Sequence, residues 1–363
     1  MCSDVAVLVV ANEIGIVNSL SAARMLGFQL PHLIILSRSE LMTEIGWRCL
    51  KKGLVRSVSI YPSLNNISAL RFLTILFLPK YSFRKFLKKL ALTKGREKVN
   101  VVFVQSMLSA LIIKRVIAAE EINLVDEGLS SYTGRVTNKR YRSKGFKLIA
   151  SLLHGRNYER IVSRFFLAEP AMLSPDVTLP ALKINFNVET LRDLLEKSDK
   201  SFAREQKKII YIGVPLFGLI DLCKDQNIDR SLFLERAEKI LSVLVTQMDG
   251  RLLYKKHPLE KTEDLKKKFK SEVGFIDGLW EEICFNCADG QMILFNFFST
   301  AVTFPKLVLG REPTIVFLYR LLPADVLHGD EVVESLRKTY SDPSKVLAPS
   351  SIEELKRLVR TLK

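Results

Sequence analysis

Short apolar runs recur along the chain with helix-patterned stretches between them, and this alternation limits the fold more than any other feature. VAVLVV begins at Val5, LIIL at Leu33, VVFV at Val101 and INLV at Ile122; periodic stretches follow the first to about Leu26 and the third to about Ala119. Runs without a polar face suit strands buried on both sides, and strands alternating with helices predict parallel βαβ units. The pattern restarts at residue 209 with IIYIG, then the helix SLFLERAEKILSVLVTQM, the strands RLLYKKH and MILFN, and PTIVFL. Residues 169 to 208, with EPAMLSPDVTLP, one helix over Val188 to Lys197 and the charged KSDKSFAREQKK, read as the linker region. A chain of 363 residues exceeds what one core usually organises. The expectation is an α/β protein of two Rossmann-like domains with parallel sheets, residues 1–180 and 205–363, facing a central cleft.

Charge narrows the partners. Fifty-five Lys and Arg against thirty-nine Asp and Glu give a net charge of +16, a field that favours nucleic acid, an anionic membrane surface or a phosphate-bearing substrate. The basic residues, at Lys51-Lys52, Arg84 to Lys98, Arg135 to Lys147 and Lys266 to Lys270, show no zinc-finger spacing, RNP pattern or recognition-helix signature, which argues against nucleic acid. No apolar run reaches the roughly 18 to 20 residues that span a bilayer, and the amino terminus lacks the basic opening of a secretory signal. The reading is a cytoplasmic protein, peripheral on the inner face of the cytoplasmic membrane. LRFLTILFLPKYSFRKFLKKL, residues 70 to 90, suits a headgroup layer and equally a helix pair packed on a core. Five cysteines, at 2, 49, 223, 284 and 287, form no disulfide framework. Cys284 and Cys287 lack the second pair that a structural zinc needs.

Ligands of open α/β sheets sit beyond the carboxyl ends of the strands, and three such positions carry chemistry. Asp126-Glu127-Gly128 follows INLV; a carboxylate there can take a proton from a hydroxyl, and the glycine permits a sharp turn and close approach. An ordinary acidic turn reads the same way. His257-Pro258 follows RLLYKK, where a histidine can donate a hydrogen bond or proton to a departing phosphate and Lys255 and Lys256 add positive charge; a solvated basic strand end is the plain alternative. Of the other histidines, His32 and His328 sit in turn-like stretches that suit the surface, and His154 lacks a strand-end context. Ser299-Thr300 follows MILFNFF, a natural phosphate site or a plain helix cap. Gly213 and Pro215, ending the strand from Ile209, line a nucleotide pocket on topology alone.

In this order the three elements resemble the acidic-acidic-Gly, His-Pro and Ser-Ser/Thr motifs of bacterial sialyltransferases, closest to the lipooligosaccharide sialyltransferases of glycosyltransferase family 52, with capsule polysialyltransferases as relatives. VVANEIGIVNSLSAA, IIYIGVPLF and FIDGLWEEICF resemble that family's first strand and helix, the strand opening its second domain, and the segment placing an acidic residue between the last two motifs. The resemblance implies GT-B architecture and a single inverting displacement that transfers sialic acid from CMP-sialic acid to a terminal galactose or sialic acid of a cell-surface glycan. It implies Asp126 as general base, Glu127 and Gly128 in support, and His257 as acid. Lys256, Pro258, Ser299, Thr300, Gly213 and Glu281 would bind the donor nucleotide, without metal or cofactor. The first domain would serve the acceptor and the second the CMP-sugar. A teichoic-acid-type polyol-phosphate transferase and a GT-B enzyme using another nucleotide sugar are the alternatives. The partners expected are a nucleotide-sugar donor, a glycan or glycolipid acceptor and an anionic membrane, with a homodimer left open.

Overall fold

A computed structural model describes residues 5–37, 39–61, 99–116, 119–127, 129–132, 158–174, 177–195, 208–220, 223, 228–257, 260, 273–287, 292–325 and 329–362. The chain divides into two compact units, Met1–Glu196 and Lys197–Lys363.

The first unit is built on seven parallel strands: β1 (Val5–Val10), β2 (His32–Leu36), β3 (Ser57–Tyr61), β4 (Val99–Val104), β5 (Glu121–Val125), β6 (Arg164–Leu167) and β7 (Ala181–Lys183). Their order across the sheet is β3-β2-β1-β4-β5-β6-β7, so the winding reverses between β1 and β4. Central strands with apolar side chains on both faces need cover on both faces, and every residue of β1 is buried. The helix Glu13–Met25 returns the chain from β1 to β2. Asn12 starts it, its side chain accepting the Gly15 N–H, and Gly27 in the left-handed region, φ 90°, follows its end.

Part of the expected linker belongs to this unit. β7 adds the seventh strand, and the helix Val188–Leu195 buries Leu191, Leu194 and Leu195. Two arginines hold that helix: Arg24 donates to the Thr190 hydroxyl, and Arg48 Nη1 to the Leu194 carbonyl at 3.1 Å. A three-residue strand offers too few positions to show its alternation in sequence, which is why the segment reads as connection. His32 also departs from expectation. It opens β2, is buried, and its Nδ1 shares a 2.6 Å hydrogen bond with Ser57 Oγ on the neighbouring β3.

The second unit repeats the plan with six parallel strands, β8 (Lys208–Ile212), β9 (Leu252–Lys255), β10 (Gly274–Ile276), β11 (Met292–Asn296), β12 (Thr314–Phe317) and β13 (Val346–Leu347). The order β10-β9-β8-β11-β12-β13 reverses between β8 and β11. The long helix Arg230–Met248 starts on Asp229, whose carboxylate accepts the Ser231 and Leu232 N–H groups, and ends at Asp249 and Gly250 with φ 51° and 72°. It packs against the terminal helix Ile352–Leu362, which buries Leu355 and Val359 on one side. Among the described residues no helix is long and apolar enough to cross a membrane. Residues 70–98, 135–147 and 266–270, which hold most of the basic stretches, lie outside the described residues.

Candidate active site

In the second unit three of the turns marked in sequence leave neighbouring strands at one edge. β9, β8 and β11 are adjacent, so the residues after their carboxyl ends, Lys256-His257, Gly213 and Ser299-Thr300, line a common rim that includes the point where the winding reverses. That is where a doubly wound sheet opens a crevice for a ligand. The pairing of β8 and β9 runs on into the turns, because the Gly213 N–H donates to the Lys255 carbonyl at 2.9 Å.

His257 is partly buried, and burial, then the charge of Lys255, pushes its imidazole from 6.5 down to about 4. Near neutral pH the ligand-free ring is therefore uncharged, and an anionic phosphate beside it would pull its pKa back up. Lys255 is anchored, its Nζ donating to the Gly278 carbonyl at 2.6 Å. Lys256 is partly exposed. Ser299 is 6% exposed and caps the single turn Thr300–Thr303, its Oγ accepting the Ala301 N–H at 3.3 Å. Asn296 at the end of β11 takes the Ser299 N–H on its Oδ1 at 2.8 Å, while its own buried Nδ2 has no hydrogen-bond partner among the described residues. The Trp280 indole N–H donates to the Ala301 carbonyl at 2.7 Å. It thereby seats the helix Trp280–Asn286, with Glu281 buried in its first turn, against the Ser299 turn. A separate open cavity of about 460 Å³ in this unit, between the start of the helix Arg230–Met248 and residues 322–325, includes Asp229, Leu232, Leu322 and Asp325 in its lining and none of these rim residues. Pro258 lies outside the described residues.

Asp126 and Glu127 belong to the first unit, directly after β5. The Asp126 N–H pairs with the Phe166 carbonyl at 2.8 Å, and its own carbonyl takes the Asn18 side-chain N–H at 2.9 Å. Its carboxylate Oδ2 accepts from the Tyr132 hydroxyl and from the Ala168 N–H at 3.2 Å. Tyr132 is buried, and that burial, then the charge and hydrogen bond of Asp126, pushes its phenol well up, so it stays protonated and donates. Asp126 is 2% exposed and Glu127 partly exposed, so the second carboxylate is the more accessible of the two. Glu127 is fixed through its backbone, its N–H donating to Ser131 Oγ at 3.0 Å. Gly128 lies outside the described residues.

Several partners carry no mark of their own in sequence. Tyr132 and Asn18 act through spacing that only the fold creates. Glu260 had a faint signal, standing three residues after His257, the separation at which a glutamate reaches back to a preceding backbone N–H. Cys284 and Cys287 are free and buried, with burial pushing both thiols up. Arg311 donates to both of their carbonyls. Among the described residues no group of three or more His, Cys, Asp or Glu is arranged to hold a metal ion.

No protein-family model matches the chain, and no curated protein matches it in sequence. Solved structures do. TcCGT1 in complex with UDP is similar at 10% identity over 99% of this chain and 90% of its own, with a TM-score of 0.51. The GT-B domain of a sialyltransferase from Photobacterium damselae is similar at 12% identity over 95% and 99%, TM-score 0.48. A putative UDP-N-acetylglucosamine 2-epimerase from Listeria monocytogenes is similar at 8% identity over 100% and 96%, TM-score 0.49. At such identities the likeness is one of fold, and the fold of this chain is GT-B: two α/β units, each wound on a parallel sheet.

Proposed function

We propose that the chain is an inverting glycosyltransferase that moves a sugar from a nucleotide donor, CMP-sialic acid in the first instance, to a terminal galactose or sialic acid of a cell-surface glycan. The observation that carries this reading is the rim of the second unit, where Gly213, His257 and Ser299 leave three adjacent strands at a reversal of winding. Hydroxyls, an imidazole and the Lys256 ammonium gathered at such an edge suit one phosphate better than they suit a metal or a covalent nucleophile.

Asp126 removes the proton from the acceptor hydroxyl as its oxygen attacks the anomeric carbon, and the bond from that carbon to the phosphate oxygen breaks with the electron pair going to phosphate. His257 meets the departing phosphate with a hydrogen bond or proton; Ser299, Thr300, Lys256 and the Gly213 turn share its charge, with Glu281 and Pro258 completing the nucleotide site. Tyr132 and the Ala168 N–H pin Oδ2 of Asp126, which fixes the plane of the carboxylate before the acceptor arrives. Glu127 and Gly128 support that turn. Because charge separates in an oxocarbenium-like transition state, placed charges and dipoles supply most of the acceleration. No metal or cofactor takes part in this scheme. The basic segments outside the described residues would hold the enzyme on the inner face of the membrane, near a glycolipid acceptor.

The test is nucleotide release from CMP-sialic acid and from UDP-sugars, with and without a lactose-terminated acceptor and with EDTA present. Asp126→Asn and His257→Ala should each lose about 10²- to 10⁴-fold in transfer, the range for general acid and base catalysis, and Glu127→Gln far less. The reverse ranking of the two carboxylates would move the base to Glu127. Release of UDP alone would correct the donor, and release of neither nucleotide by folded protein would end the glycosyltransferase reading.

A further inference from the structure

The His257 turn is held by a residue that none of the motifs contains. Glu260 Oε2 accepts the His257 N–H at 2.8 Å, as the glutamate of a capping box does, while the Glu260 N–H donates to the His257 carbonyl at 3.0 Å and closes a turn. Oε1 accepts the Tyr254 hydroxyl from β9 at 3.1 Å. The Val214 N–H, in the turn after β8, also donates to this carboxylate. At the neighbouring Gly213 a Cβ would overlap Oε2 itself, so the carboxylate occupies the space a side chain would need. Burial pushes the Glu260 carboxyl up, against the pull of these donors and of Lys256. An acid is costly in such a place unless donors satisfy its oxygens, and here they come from two strand ends.

We propose that Glu260 is a positioning residue that locks the backbone of His257 to the Gly213-Val214 turn, so that both are presented together to a nucleotide phosphate. This deepens the reading of His257 as the phosphate-facing group and rests on it. Glu260 acts through the backbone: its carboxylate takes hydrogen bonds from the main chain of His257 and Val214 and from the Tyr254 hydroxyl. It also gives Gly213 a reason to be glycine, since any larger residue would expel the carboxylate.

The experiment compares Glu260→Ala, Gly213→Ala and the double variant in the full chain. Three quantities are read: the imidazole NMR resonances of His257, assigned with His257→Gln; the affinities for CMP and UDP; and turnover with the donor the wild type accepts. Each single variant should move the His257 resonances and lower kcat by about 10- to 10²-fold with the donor KM changed less than about threefold, as expected when a reacting group is misplaced while the donor is still held. The double variant should be no worse than either single, because alanine at 213 does its harm only through the carboxylate. Unmoved His257 resonances in folded Glu260→Ala, or losses that multiply in the double, would overturn the proposal. Should Glu260→Ala fail to fold, Glu260→Gln keeps the size, replaces one acceptor oxygen by a donor, and should move the same resonances; unmoved resonances there would also overturn it. A wild type that turns over no donor would refute the glycosyltransferase reading alone, since the His257 resonances in the single and double variants still decide the role of Glu260.

Discussion

Burial, and then the charge of Lys255, holds the His257 imidazole at about 4 instead of 6.5, and a shift of that kind is also a statement about stability. Between those values the unfolded chain takes up a proton that the native chain refuses, so native stability should fall as pH drops from about 6.5 towards 4 and be flat above that window. With the ring partly open to solvent, the contribution is roughly 2 kcal/mol, less than the full linkage value. Urea denaturation of wild type and His257→Gln at pH 7 and pH 4.5 measures it: the wild type should lose more stability than the variant on acidification, and equal losses would show that the ring is not held neutral. Nucleotide binding would reverse the shift, because a phosphate favours the imidazolium. At this scale the sequence marked His257, Asp126 and Ser299 as candidates because each is a reactive type just beyond a strand pattern. It could not show Tyr132 or Glu260, whose value lies in which backbone and carboxylate atoms they reach after folding, and it misplaced His32 because a strand that opens on a polar residue looks like a turn.

Elements were legible in proportion to their length and apolar content. β1, β4, β5, β8 and β11 announce themselves as mainly apolar runs of five or six residues, whereas β7, β10 and β13, of three, three and two residues, are defined by their partners and not by their own pattern. The crossing from β1 to its helix shows how tightly such junctions are made. Gln105, just after β4, receives the Ala11 N–H on Oε1 at 2.5 Å and gives its side-chain N–H to Asn12 Oδ1 at 2.6 Å, closing the reversal point of the first sheet. Gly15 in the first turn of the helix leaves room for that amide, and a Cβ there would overlap it. Gly15→Ala should therefore destabilise the protein by about 1 to 3 kcal/mol, the usual cost of overpacking, even though alanine is the better helix former. In a Gln105→Ala background the same change should be neutral or stabilising. Denaturant midpoints of the four proteins settle the point, and destabilisation by Gly15→Ala that persists without Gln105 would place the constraint elsewhere.

For the molecule as a whole, the repeat of an α/β pattern at residue 209 was enough to foresee two units, and the net charge of +16 points to anionic partners without naming one. The charge is not spread evenly through the sequence: Arg135, Lys139, Arg140, Arg142, Lys144 and Lys147 fall within thirteen positions, shortly after the proposed base. A cluster of this kind attracts an anionic surface with an energy of about 1 kcal/mol per basic residue near that surface, an attraction that decays within a Debye length. If it serves to bring the enzyme to a membrane-held acceptor, its contribution is separable from the chemistry. Replacing the six residues with glutamine should weaken sedimentation with phosphatidylserine-containing vesicles and flatten its dependence on salt, while hydrolysis of the nucleotide sugar in free solution stays within about threefold, because screening and charge removal act on association rather than on the reacting bond. Loss of both vesicle binding and donor hydrolysis would give the cluster a part in the chemistry instead. Vesicle binding that survives the change, with the same salt dependence, would transfer the membrane role to another basic stretch, residues 84 to 98 or 266 to 270.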